Sequence, residues 1–413
     1  MKKIRIGVLG GGRGVDIARD FRLLDCEVVA LCEFGADRLS YGAQRIGEGV
    51  ALYDDFEKFI EHPMDAVVVA NFFHQHAPFA IRLLERGISV YSECLSSGTM
   101  AEGVALIRAA EKSRAIYMLG ENYPGMCVCQ EMYRIARGGT LGKILYAEGE
   151  YNHPVDPYDT TFVKVNNYST KHWRNYLPRS YYVTHSLGPL MYATGALPKR
   201  VVAMAVFGPL STDAPQASRV GDRVTQMMTQ NDDGSVFRFT GCASYGAHHS
   251  AYRICGTDGQ VENVRGMEEK IMLRYSPWKT PEGQESTKLY TPAWQEDIHP
   301  EAVKSSGHAG GDYVISRIFV DCLKEKKTPP FPFDVHSAVA MSSVAILAHR
   351  SMLEGGMPYD IPDFHSEEER VRWEGDTLSP FPKEDGTVDI PCCSHPDYAP
   401  TEEQIVKFLE LLK

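Results

Sequence analysis

The sequence predicts an α/β chain with an α+β partner: an N-terminal doubly wound parallel sheet, then a domain built on an open, mostly antiparallel sheet. Three observations carry this. Short apolar runs alternate with helix-period stretches over roughly the first 120 residues. One run, AVVVA at 66–70, lacks polar alternation, as a strand buried on both faces requires. After Glu121 the pattern changes to β-type runs separated by turn signals, DDG at 232–234 and GTDG at 256–259.

The elements follow in order. A strand at 4–9 runs into the glycine cluster Gly10, Gly11, Gly12 and Gly14, and a helix follows at 15–24. Strands are expected at 28–32, 66–70, 89–91 and 116–119, and helices at 78–86 and 100–113; this spacing predicts right-handed βαβ units. Beyond them come a helix at 130–137, stopped by Gly138-Gly139, and an alternating strand at 143–151. The stretch 152–182, rich in Tyr, Asn, Pro and Thr, reads as a long functional loop. Short strands fill 201–289, helices are expected at 312–323 and 336–353, and an amphipathic helix at 401–412 closes an acidic, Pro-rich tail. The division is 1–122, 123–357 and a C-terminal extension at 358–413.

Composition narrows the function. The 413 residues carry 43 Lys plus Arg against 54 Asp plus Glu, a formal charge of −11. That balance lacks the footprint of a nucleic-acid binder and does not suit an anionic membrane surface. No apolar run approaches the ~20 residues of a membrane span. The N-terminal MKKIRIGVLGGG is too short in its apolar part for a signal peptide, so the expected compartment is the cytoplasm. The ten cysteines form no paired C-x-x-C frame and read as free thiols. His74 and His76 have no collinear partners, so no metal is expected.

The glycine cluster lies between a strand and a helix, the setting of a Rossmann dinucleotide site. Gly10 would make the tight turn, and Gly12 would let the backbone approach a pyrophosphate at the helix N-terminus. The third glycine of G-x-G-x-x-G falls at Val15, with Gly14 one residue early. Glu33, ending the second strand, is placed to hold ribose hydroxyls and to repel a 2′-phosphate. NAD is therefore expected over NADP, a preference that Arg38 softens.

The sequence resembles the glucose–fructose oxidoreductase / inositol dehydrogenase (Gfo/Idh/MocA) superfamily in GVLGGGRG at the start, DAVVVANFFHQHAPFAIRLLERGISVYSEC at 65–94 and GTDGQVEN at 256–263. It is similar to one branch, glycoside hydrolase family 109, in ENYPG at 121–125, LGKILYAEGEYNH at 141–153, YYVTHSLGP at 181–189 and GHAGGDYV at 307–314. The resemblance implies NAD on the first domain and a sugar over the nicotinamide. It places Arg13, Asn71, His76, Glu93 and Asn122 beside the cofactor, and it implies dimers or tetramers. Superfamily dehydrogenases carry Glu-Lys-Pro where this chain has Glu93-Cys94-Leu95, and an Asp where it has Tyr181. His185 remains.

His185 is the expected general base, because histidine titrates near neutrality. The resemblance matches Tyr151 to a base acting at the sugar's C2. Glu121, at the carboxyl edge of the parallel sheet, could contact substrate or orient His185. Trp173 and Arg174, with Tyr158, Tyr168 and Tyr176, give the long loop the aromatic and polar mix that suits a sugar. Cys94, His153, Tyr182 and His308 complete the expected substrate contacts. Three functions fit: an NAD-dependent dehydrogenase acting at a secondary hydroxyl (C3) of a sugar or glycoside, a redox-neutral NAD-dependent glycosidase, and a non-catalytic binding protein.

Overall fold

The computed structural model describes residues 3–166, 169–295 and 298–413; Tyr168 lies outside them. The first sheet comprises β1 (Arg5–Leu9), β2 (Glu27–Cys32), β3 (Ala51–Tyr53), β4 (Ala66–Val69), β5 (Ser89–Ser92) and β6 (Tyr117–Leu119). All pairs are parallel, in the order β3-β2-β1-β4-β5-β6. The order reverses at β1 and β4, so the cleft at their carboxyl ends is where a ligand binds in such sheets. All four residues of β4 are buried, as the uninterrupted apolar run requires.

Two short elements and a helix escape the sequence reading: the helix Ala36–Ile46, β3 and the helix Phe56–Ile60. At three and five residues, β3 and the last helix are too short to show a period. The last is fixed instead by its cap, since Asp55 accepts from the N–H groups of Glu57 and Lys58 at 2.7 and 3.1 Å.

The second sheet comprises β7 (Ile144–Asn152), β8 (Pro198–Phe207), β9 (Asp222–Asn231), β10 (Val236–Thr240), β11 (His249–Gly256), β12 (Gly259–Val264), β13 (Met267–Tyr275), β14 (Thr287–Tyr290) and β15 (Tyr359–Asp360). Their order is β14-β13-β12-β11-β7-β10-β9-β8-β15. The pairing is antiparallel except between β7 and β10. The helix Thr184–Thr194 lies on central β7 because Gly149 has no side chain; a Cβ there would stand 2.2 Å from the Ser186 carbonyl oxygen. The opposite face exposes Met204, Val206 and Met228 of β8 and β9.

Chain order and packing do not coincide. The helix Gly311–Glu325 packs on the parallel sheet, where Ile315 and Phe319 join Ile6, Phe21 and Tyr91 in one cluster. The helix Val335–Leu353 is buried between the sheets, with Ser96 hydroxyl donating to the Ala338 carbonyl at 3.0 Å. The extension returns to the second domain: β15 pairs with β8, and Phe408 of the helix Glu402–Leu411 meets Val163 and Ala217. The stretch 152–182 is not a bare loop, since it contains the helix Thr160–Asn166 and 3-10 turns at Trp173–Asn175 and Arg179–Tyr181. The ten cysteines form no disulfide. Among the described residues no helix is long and apolar enough to cross a membrane, and no group of three His, Cys, Asp or Glu side chains could hold a metal.

Candidate active site

The glycine turn opens the site. Gly10 has φ 113°, and a Cβ there would lie 2.3 Å from the Ala70 carbonyl oxygen, so only glycine fits. Gly12 precedes the helix Arg13–Leu23, whose first turn has no side-chain cap, so its N–H groups are available to an anion. Gly14 does the work of the displaced third glycine: a Cβ there would strike Val8 Cγ1 at 2.7 Å, so its absence lets helix and strand approach. Glu33 accepts from the N–H groups of Gly11 and Gly35 at 2.9 and 3.2 Å. It thereby braces the turn while lining a cavity of ≈ 360 Å³ with Gly12, Arg38 and Asn71.

Two side chains beside this cavity have unused polar atoms. Asn71 Nδ2 and Oδ1 and Asn122 Oδ1 are buried without a partner. Buried polar groups are normally satisfied, so these fit a polar ligand such as the carboxamide and ribose of a dinucleotide. Arg13 binds Asp312 through two nitrogens at 2.7 and 2.6 Å and Glu93 at 2.8 Å, and Asn122 Nδ2 and His308 Nδ1 reach the same Asp312 at 2.7 and 3.0 Å. Burial pushes the Asp312 carboxyl up, but the Arg13 and His308 donors outweigh it and hold it well below the carboxylate range. Arg13 thus ties the glycine turn to the helix Gly311–Glu325 through Asp312 and to the loop after β5 through Glu93. His76 Nδ1 contacts the Leu95 carbonyl at 3.0 Å, and Nε2 lies 3.4 Å from the Asn71 carbonyl. It lines the cleft while joining the loops after β4 and β5.

His185 sits in the first turn of the helix Thr184–Thr194. Its Nδ1 lies 2.8 Å from Glu121 Oε1, and Tyr252 hydroxyl donates to its backbone carbonyl at 2.6 Å. Tyr123 stacks on the imidazole at 4.1 Å, while Tyr151 and Tyr182 meet it edge-on at 4.9 and 5.2 Å. Glu121 follows β6 and is 0% exposed. It also accepts from Cys94 Sγ at 3.1 Å and from Tyr123 N–H at 3.1 Å. Its carboxylate lies against His185 and away from the walls of the two cavities. Burial raises the Glu121 carboxyl, but facing His185, with Thr184 and Cys94 donating, carries it below its ordinary value. The carboxylate is thus kept charged beside the ring.

Cys94 occupies the lysine position of the superfamily dehydrogenases. Burial, then the charges of Glu121 and Glu93, pushes its thiol well above the ordinary value, so it is a proton donor to Glu121. Burial, with Tyr182 and Tyr123 close by, drives the Tyr151 phenol far up. The hydroxyl is thus held in its protonated form. Tyr181 is fully buried, its hydroxyl 3.5 Å from the Gly98 carbonyl.

Two cavities meet at His185. One, of ≈ 290 Å³, is lined by Gly12, Asn71, Cys94 and Asn122. The other, of ≈ 410 Å³, is lined by Tyr151 and His153. Arg174, Tyr182, His185 and His308 line both. Trp173 stacks on Phe73 at 5.2 Å, and Phe73 on Tyr182 at 5.7 Å, so Trp173 roofs the cofactor side and is absent from the second cavity's wall. Arg174 lies over the Trp173 ring at 4.5 Å. His153 lies 3.1 Å from His248 Nδ1; burial and that neighbour push it down to about 4, so it is neutral at cellular pH.

The sequence reading missed Asp312 and Tyr123. Asp312 lies in the first turn of the helix Gly311–Glu325 and meets His308 across the kinked turn before it, and Tyr123 lies within ENYPG.

The fold and the site define a protein of two sheets, with a dinucleotide-type cleft opening on a second, sheet-walled cavity. Comparison with known proteins agrees. A family model, "Glycosyl hydrolase 109, C-terminal domain", matches residues 203–371. "Glycosyl hydrolase family 109 protein" of Stenotrophomonas maltophilia (strain K279a) is 23% identical over 422 residues, covering 88% of this chain and 89% of that protein. "Glycosyl hydrolase family 109 protein 1" of Bacteroides thetaiotaomicron is 26% identical, covering 88% and 85%. Among solved structures, levoglucosan dehydrogenase in complex with NADH and levoglucosan superposes with a TM-score of 0.70 at 16% identity, over 87% of this chain and all of that one. An Agrobacterium radiobacter oxidoreductase in complex with NAD+, L-tartaric acid and magnesium gives 0.66 at 12% identity, over 87% and 99%. The chain resembles the Gfo/Idh/MocA superfamily and, within it, glycoside hydrolase family 109.

Proposed function

We propose that the protein is an NAD-dependent oxidoreductase that oxidises a secondary hydroxyl, at C3, of a sugar or glycoside. The observation that carries this is the place of His185, in the wall shared by the glycine-turn cavity and the Tyr151 cavity, with Glu121 on its Nδ1. NAD, when bound, supplies the hydride acceptor. Gly10, Gly12, Glu33, Asn71 and Asn122 would hold it, and the unpartnered amide atoms favour that fit. With Nδ1–H held by Glu121, the His185 Nε2 lone pair takes the hydroxyl proton. The charged Glu121 then stabilises the imidazolium, a positioning role. Tyr151, as a phenol, donates to a neighbouring sugar oxygen. Tyr182, His153 and His308 offer the ring further contacts.

The relatives support this chemistry: one similar structure is that of levoglucosan dehydrogenase in complex with NADH and levoglucosan. The test is to mix purified protein with NAD and a panel of glucosides, galactosides and N-acetylhexosaminides. NADH equal in amount to a product lighter by two hydrogens supports the reading.

A second reading is a redox-neutral glycosidase. The family 109 match and the thiol at the lysine position favour it. There, a ketone at C3 acidifies the C2 proton, its loss expels the aglycone, water adds, and hydride returns to C3. Aglycone release without net NADH, abolished by stripping NAD, would select it.

A further inference from the structure

We propose that the natural substrate carries an oxyanion, a carboxylate or sulfate, on the group attached to the oxidised sugar, and that Arg179 and Arg223 bind it. The proposal rests on the sugar-oxidation reading and adds a substrate class to it.

The cavity on the far side of His185 holds ≈ 410 Å³, within the range of small-molecule sites. Three arginines line it: Arg174, Arg179 and Arg223. Arg174 also lines the cofactor side, whereas Arg179 and Arg223 line only this cavity. Among the described residues none of the three forms an ion pair with a carboxylate. Arg179 spends its Nε on the Asp222 carbonyl at 3.0 Å, and Arg223 spends its Nε on the Gly208 carbonyl. Each guanidinium is thus anchored through Nε, Arg179 also meets the Cys242 thiol, and neither has a carboxylate on its terminal nitrogens, which suit the oxygens of an anion.

The charge of the cavity is one-sided. The carboxylate in its wall, Asp156, is exposed and accepts from Tyr158 N–H at 2.9 Å. His153 is neutral there at cellular pH. Burial lowers the Arg223 guanidinium below its ordinary value, and Arg179's like charge lowers it further, so the two cations are close enough to repel. Two half-buried guanidiniums in one cavity wall without an acid paired to them repel each other until an anion joins them. Phe408 of the C-terminal helix completes the wall, giving the extension a part in enclosing this end.

The test uses NAD-loaded protein and matched aryl glycosides of glucose, galactose and N-acetylhexosamine. Each aglycone is 4-nitrophenyl, 4-carboxyphenyl or 4-(sulfooxy)phenyl, so the last two separate carboxylate from sulfate. Affinity is read by calorimetry and NADH formation is read separately. In the series that binds, an acidic aglycone should bind at least about tenfold tighter than the nitrophenyl one, less so at high salt. Arg223→Gln and Arg179→Gln should remove that preference while binding of the nitrophenyl glycoside and of NAD stays within about twofold. Arg223→Lys should keep part of it. Arg223→Gln decides alone if Arg179→Gln does not fold. Equal affinity for all aglycones, a preference that survives both variants, or failure of every acidic probe to bind overturns the proposal. Oxidation of neutral glycosides without any acidic preference leaves the redox reading standing alone. An arginine-dependent preference with no sugar ever oxidised does the reverse.

Discussion

His185 Nδ1 and Glu121 Oε1 lie 2.8 Å apart, with the carboxylate fully buried and the imidazole enclosed by Tyr123, Tyr151 and Tyr182. The contact joins the end of the parallel sheet to the first turn of a helix seated on the antiparallel one. It therefore fixes the imidazole at the seam of the two sheets, where the two cavities meet.

His185→Ala should cut turnover by about two to four powers of ten, as for a lost general base. NAD affinity should stay nearly intact, because no glycine-turn contact changes. Glu121→Gln should lower kcat by about one to three powers of ten with KM little changed, since it acts through His185 alone. Steady-state kinetics with NAD titrations check both, and wild-type-like turnover in His185→Ala would sink the assignment.

Gly188→Ala should resemble Glu121→Gln in kind. A Cβ at Gly188 would stand 2.8 Å from Glu121 Cγ and push the carboxylate off His185. A kcat loss of about tenfold or more is expected, with the fold kept. An unchanged kcat would show that the dyad tolerates displacement.

Asn71→Ala separates cofactor binding from stability. Its amide atoms are buried and unpartnered, so removing them costs the apoprotein little and can stabilise it. NAD affinity should fall about tenfold or more. Thermal unfolding with and without NAD reads both quantities, and a destabilised variant with full NAD affinity would contradict this reading.

Asp20 sets a pH dependence. Burial, against a hydrogen bond from Ser306, raises its carboxyl from 3.8 to about 7. A raised folded-state value means its contribution to stability is fully present below about 3.8 and lost as pH rises through about 7. A rise of that size corresponds to at most about 4 kcal/mol between the two ends of the window. Asp20→Asn should therefore raise the Tm most above pH 7 and hardly at all near pH 4. An equal gain at both would contradict it.

The parallel sheet was legible because its central strands are apolar runs and its glycine turn has one stereochemical use. His185, Glu121 and Asn122 were legible because their motifs fix their place at strand and helix ends. The helix Gly311–Glu325 was legible as a helix but not by partner, because an amphipathic stripe does not say which sheet it covers. For the same reason Asp312 gave no sign that it would meet Arg13, 299 residues away. The surroundings of Tyr151 were not legible, because the burial that pushes its phenol up involves Tyr123 and Tyr182, neither of which is near in sequence. Trp173 was expected at the sugar, but its stacking on Phe73 turns it to the cofactor side.

The most direct test is a single-turnover absorbance measurement on wild-type and His185→Ala protein, each loaded with NAD and mixed with the glycoside panel. Reduced nicotinamide should form in the wild type with at least one sugar, persisting or disappearing as aglycone is released. His185→Ala should bind the same NAD and show none on that timescale. Reduction at an equal rate in His185→Ala, or none in the wild type with any sugar while NAD is bound, would contradict hydride transfer coupled to this histidine.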